Sequence, residues 1–171
     1  HKVRFERVQP VGRAIDDIEK SLSGGDGTWL TTDPLAQNAW IDRRNVELGY
    51  HLKPIVRMLK RWNTEHNSRL GSWHLEVIVA TVFRSLGSNY RDAVAKFFDW
   101  AQSRLDVEDP DGYGGNLAAL LTSTQRSAIK QALESARERA SRASQAEASG
   151  NHAEAIRLWR IIFGSEFPGY G

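Results

Sequence analysis

The sequence predicts a mainly α fold: a bundle of about six helices preceded by one short N-terminal strand. Three observations lead there. From Asp33 onward, apolar residues recur at the three- and four-residue spacing of a single helix face. Residues that start helices stand at the heads of those segments, and glycines stand at several of their ends. Only residues 3–11 (VRFERVQPV) carry the loose alternation of β-branched and aromatic residues expected of a strand, which Pro10 closes.

Taken in order, the segment from Ala14 to Leu22 reads as a short helix or an irregular stretch, and Gly24, Gly25 and Gly27 mark a turn. Asp33-Pro34 pairs an acceptor side chain with proline at the first helical position, so a helix starts there and runs to about Leu48, ended by Gly49. A second spans about Leu52 to His66, with Ile55, Leu59 and Trp62 on one side. Ser72 is placed to cap a third through Val77, Ile78, Val82 and Phe83. A fourth covers about Asn89 to Leu105, with Val94, Phe97, Phe98 and Ala101 inward. The acidic, glycine-rich run from Asp106 to Gly115 is a loop. Thr122 and Gln125 have capping-box spacing before a long helix to about Ser149, whose seam is Ile129, Leu133, Ala136 and Ala140. Gly150 breaks it. Asn151 and Glu154 form a second capping pair, and the last helix presents Ala155, Ile156, Trp159 and Ile162 before Gly164.

Composition narrows the function. With no cysteine among 171 residues, disulfides and cysteine-ligated zinc are excluded. Lysine and arginine total 23 against 21 acids, a net charge of +2, which speaks against a surface built to coat long nucleic acid. The alternating charges from Arg137 to Arg142 read as a solvated helix face. No apolar run approaches the roughly 18–20 residues of a membrane span, and the N-terminus has no signal-peptide pattern, so the expected location is cytoplasmic. His51, His66 and His74 have no partner at i+4, so no zinc site is expected. The chain starts at His1 and its one methionine is Met58, which implies a fragment, a processed product or the ordered part of something longer.

Three stretches carry a resemblance. The first is Gly27-Thr28-Trp29-Leu30-Thr31-Thr32-Asp33-Pro34. The second is Leu59-Lys60-Arg61-Trp62-Asn63 followed by Leu70-Gly71-Ser72-Trp73-His74-Leu75-Glu76. The third is Trp159-Arg160-Ile161-Ile162-Phe163-Gly164 with Phe167-Pro168. In this order, over residues 27–168, they resemble the C-terminal helical lobe of bacterial CD-NTases, the nucleotidyltransferases related to cyclic GMP-AMP synthase and oligoadenylate synthase. The resemblance implies the C-terminal lobe of an α+β enzyme of the polymerase-β superfamily. Residues 1–26 would belong to the nucleotidyltransferase core and residues 27–171 to the nucleotide-binding lobe. The family's N-terminal lobe carries a Gly-Ser loop and an Asp-x-Asp pair which, with a third acid, hold Mg2+. That lobe is missing from this sequence: Gly87-Ser88 has no Asp-x-Asp strand after it, and Asp106 and Glu108 lie in a loop. Glu6, on the predicted strand, stands where the family has its third metal-binding acid, an aspartate.

By the same resemblance Lys60 and Ser72 match the family's triphosphate ligands, and Trp73 its base-stacking aromatic. Their chemistry suits that work. Lysine brings a point charge with three donors, a helix start brings free N–H groups, and an indole offers a stacking face. Read from the residues alone, Lys60 is equally a solvated lysine beside Arg57 and Arg61, Ser72 an N-cap, and Trp73 a core residue. The implied activity is synthesis of cyclic or linear oligonucleotide messengers from nucleoside triphosphates in antiphage defence. The parent protein would be the enzyme, and this piece alone would be inactive. Two alternatives remain open. One is another polymerase-β-type transferase acting on RNA or a toxin target. The other is a non-catalytic helical binding module, supported by the half tetratricopeptide-like stretch from Ala146 to Trp159.

Overall fold

The computed structural model describes residues 33–112 and 114–167. The predicted strand over residues 3–11, Glu6, the segment from Ala14 to Leu22 and most of the first resemblance motif lie outside the described residues.

Six helices are present among the described residues. They are α1 (Pro34–Glu47), α2 (Leu52–Glu65), α3 (Ser72–Val82), α4 (Tyr90–Trp100), α5 (Ser123–Ala148) and α6 (His152–Phe163). A single 3-10 turn, Ala101–Ser103, extends α4, so the predicted continuous helix to Leu105 is shorter and tightens at its end. No strand occurs among the described residues; Glu108 and Asn116 form an isolated antiparallel bridge.

The starts follow the side chains expected to make them, with two corrections. Asp33 accepts from the Ala36 N–H at 3.1 Å, with Pro34 at the first helical position. Thr122 and Gln125 satisfy each other's backbone N–H groups in a full capping box. Asn151 accepts from the Glu154 N–H at 3.2 Å, but the Glu154 carboxylate turns outward to Arg157 and does not complete the reciprocal pair. For α3 the cap is Gly71, not Ser72: Ser72 is the first helical residue, and its hydroxyl makes no capping bond. Gly164 closes α6 at φ +91°, a left-handed conformation that favours glycine, and a Cβ there would meet the Glu65 carboxylate of α2 at 2.7 Å and oblige that side chain to move.

The core is continuous. On α2 the side chains of Leu52, Ile55, Val56, Leu59 and Trp62 are buried, the face predicted by spacing. Helix α3 sits centrally: Leu75, Val77, Ile78, Val79 and Ala80 have no exposed surface, which is why its sequence is apolar on nearly every side. Trp62 lies against Phe98 of α4, ring centroids 5.2 Å apart. The hairpin α5–α6 makes the most extensive helix pairing. Its seam is small on α5, with Ala136, Ala140 and Ala143 buried, and large on α6, with Leu158, Trp159 and Ile162 buried. Ile156, predicted inward, is half-buried; Leu158 takes the fully buried position.

Polar groups tie the helices where apolar packing cannot. The Arg44 guanidinium donates to the carbonyls of Ala80 at 2.8 Å and Phe83 at 3.2 Å, joining α1 to the C-terminal end of α3. Buried Asn63 exchanges two hydrogen bonds with the backbone of Leu70 and so closes the α2–α3 loop. Arg137 pairs with Glu134, and Arg142 approaches Glu154 of α6 at 3.9 Å, a largely exposed charged face.

Candidate functional site

The apolar run of α3 buries that helix and leaves its first turn at the surface, beside the C-terminal half of α2. Lys60 and Glu76 face each other there and form an ion pair, with the lysine side chain 41% exposed and the glutamate 18%. Ser72, exposed at the head of α3, donates its hydroxyl to the same Glu76 oxygen at 3.3 Å. The one-turn offset of Ser72 and Glu76 puts both on the same side of α3. Lys60 and Ser72, predicted together from separate motifs, thus converge on one carboxylate oxygen.

Trp73 is half-buried next to them. Its indole N–H donates to Asp109 Oδ1 at 3.2 Å, and its ring meets Trp40 of α1 edge-on, centroids 5.8 Å apart. Neither partner was singled out in the sequence. Asp109 is buried in the acidic loop and also accepts from the N–H groups of Asp111 (3.1 Å) and Gly114 (3.0 Å). A Cβ at Gly114 would lie 2.7 Å from that carboxylate, so the loop closes tightly around it. The loop is a bracket for Trp73; its acidic, glycine-rich sequence marks it as a loop but does not single out Asp109 as the acid that holds the indole.

The rest of the loop is structural as well. Asp106 receives two parallel bonds from Arg126, both 2.9 Å, and one from Asn116. The Arg126 bonds, then the Asn116 bond, hold its carboxyl at a pKa of about 2, well below the ordinary value. His74 is buried, with Nε2 2.7 Å from the Leu105 carbonyl, so that nitrogen carries the proton. Burial pushes its pKa down, and the ring is neutral.

No group of three or more histidine, aspartate and glutamate side chains among the described residues is placed to hold a metal ion. The described residues therefore do not fit magnesium. Glu6, the predicted metal ligand, lies outside the described residues. No helix among them is long and apolar enough to cross a membrane.

Fold and site together define a small helical lobe that presents a lysine, a hydroxyl, a helix N-terminus and a braced indole at one end of its central helix. No family model matches the chain. The chain is similar to a probable cyclic nucleotide synthase of Bacillus cereus, 29% identical over 153 residues, covering 87% of this chain and 46% of the relative. It is also similar to a cyclic AMP-AMP-AMP synthase of an Acinetobacter species, 27% identical, covering 82% of this chain and 44% of the relative. A cyclic AMP-AMP-GMP synthase of Enterobacter hormaechei is 26% identical, with 82% and 40% covered. The likeness to CD-NTase cyclic nucleotide synthases, read above from three motifs, thus extends over most of the chain. The chain spans less than half the length of these curated relatives.

Proposed function

We propose that this chain is the helical, nucleotide-binding lobe of a nucleotidyltransferase that makes cyclic or linear oligonucleotide messengers. Residues 27–171 form the lobe, and residues 1–26 belong to the nucleotidyltransferase core. The observation that supports this most is the convergence of Lys60 and Ser72 on one oxygen anion at the head of α3. A carboxylate oxygen there offers the charge and acceptor geometry that a phosphate oxygen would offer.

In this reading the triphosphate takes the place of the Glu76 carboxylate. Lys60 neutralises the phosphates that leave as pyrophosphate, and Ser72 donates its hydroxyl to them. The first N–H groups of α3 have no acceptor within the helix and face the anion with the favourable end of the helix dipole. Trp73, fixed by Asp109, stacks on the base of the donor nucleotide. The lobe binds and orients; a sugar hydroxyl then attacks the α-phosphate, forming a P–O bond as the bond to pyrophosphate breaks. Magnesium and its acids belong to the catalytic lobe, which this lobe requires as its partner. Product release in the cytoplasm as an antiphage signal, without membrane or long nucleic acid as partner, completes the reading.

Calorimetric titration of the chain with ATP and with adenosine tests it. Lys60→Ala should weaken ATP binding by roughly tenfold or more, the loss of a charge-assisted phosphate contact, while adenosine binding is unchanged. Its melting temperature should stay near that of the parent chain, because an ion pair this exposed contributes little stability. Equal ATP affinity in both chains would contradict the reading.

A further inference from the structure

A sizeable cleft lies at the opposite end of α3 from Lys60, Ser72 and Trp73. It is an open cleft of about 520 Å³ between the C-terminal end of α3, the α3–α4 loop and α4. Ten residues of helix separate Ser72 from Val82, so the two places are roughly 15 Å apart along the axis. The size is that of a small-molecule site.

Its lining combines basic and aromatic side chains. Arg84, Lys96 and Arg104 contribute three positive charges. Asp92 is the one acid among the lining residues, and Lys96 engages it at 2.8 Å. Among the described residues, Arg84 and Arg104 have no ion pair or side-chain hydrogen bond, so no described acid compensates either guanidinium group. Arg44, Arg61, Arg126, Arg137 and Arg157 each hold a carboxylate. Arg43, Arg57, Arg69 and Arg139 resemble Arg84 and Arg104 in holding none among the described residues, but only Arg84 and Arg104 lie beside an exposed indole. Trp100 is 38% exposed, an unusual degree for so large an apolar ring, and it leans on buried Phe83 with centroids 5.8 Å apart. Phe83 props the indole from one side and leaves surface for a planar guest. Arg44 anchors the floor through the carbonyls of Ala80 and Phe83.

We propose that this cleft is a second ligand site, separate from the triphosphate site, for a small dianion carrying a flat ring: a nucleoside 5′-monophosphate or a phosphodiester-linked nucleotide of like charge. Arg84 and Arg104 take the phosphate oxygens, for which the guanidinium fork is the matched donor. Trp100 stacks on the ring. The cavity, the two arginines without a described acid partner and the propped indole are explained together by such a guest, and by no part of the Lys60 site. Occupancy would report nucleotide or product concentration to the C-terminal end of the helix whose other end holds the substrate.

The test uses AMP, which carries about two charges near neutral pH because its second phosphate pKa is about 6, and lacks the triphosphate. Calorimetric titration should show one AMP site whose affinity falls by roughly tenfold or more in Arg84→Gln/Arg104→Gln. Affinity should fall severalfold in Trp100→Leu, and should be unaffected by Lys60→Ala. All variants should melt like the parent chain, since the altered side chains are at the surface; a thermal melt of each confirms it. Inorganic phosphate should bind more weakly than AMP by the loss of stacking. Absence of AMP binding at millimolar concentration would overturn the proposal. So would binding that survives the arginine changes and is lost in Lys60→Ala, which would instead place AMP at the triphosphate site.

Discussion

At the scale of single residues, Lys60 is shared between two demands. In the structure it is engaged by Glu76, which also takes the Ser72 hydroxyl. In the proposed function a triphosphate takes the place of that carboxylate, and Glu76 then competes with it. Glu76→Gln keeps the shape and removes the charge. Because the pair is partly exposed and contributes at most about 1 kcal/mol, ATP affinity should rise by up to roughly fivefold in calorimetry. A fall in affinity would instead make Glu76 a group that positions Lys60. His74 makes a different prediction. Burial holds its folded pKa below the unfolded value near 6.5, so the unfolded chain takes up the proton more readily. Its contribution to stability is present above about pH 6.5 and is lost as pH falls toward the lowered folded value. In His74→Gln the amide can still donate to the Leu105 carbonyl without titrating. Melting temperatures between pH 7 and pH 5 should therefore fall less in the variant than in the parent chain. Parallel curves would show that the ring does not titrate differently on folding.

At the scale of the element, helix starts were legible where a side chain does the capping and illegible where the backbone does. Asp33, Thr122 and Asn151 each accept an N–H three residues on, as their types and spacing indicate. Ser72 has the same residue type, yet Gly71 is the cap, and the serine hydroxyl is drawn to Glu76. Residue type alone does not distinguish a capping serine from one placed a position later. Helix faces were read more securely, because burial is set by periodicity. Trp62 is 3% exposed and packs on Phe98. Trp62→Ala should cost about 3–5 kcal/mol in denaturant unfolding, the range for truncating a buried large aromatic. Near-parental stability would mean that the α2 face is not the load on which the core closes.

At the scale of the whole molecule, the mainly α bundle follows from its apolar spacing, and the family likeness, read from three motifs, agrees with similarity to cyclic nucleotide synthases over most of the chain. The brackets around the site were not legible. Trp40 and Asp109 lie 33 residues before and 36 after Trp73, and nothing in local pattern links positions so far apart; the fold brings them together. The account's central claim is that Lys60, Ser72 and Trp73 form one nucleotide site at the head of α3. The most direct measurement is an amide and indole NMR spectrum of isotope-labelled chain titrated with ATP, with the Trp73 indole signal assigned through Trp73→Phe. The account predicts that the backbone signals of Ser72 to His74 and the Trp73 indole signal shift together with one dissociation constant, and that Lys60→Ala weakens that constant. Shifts confined to other parts of the lobe, with these signals unmoved at saturation, would contradict it.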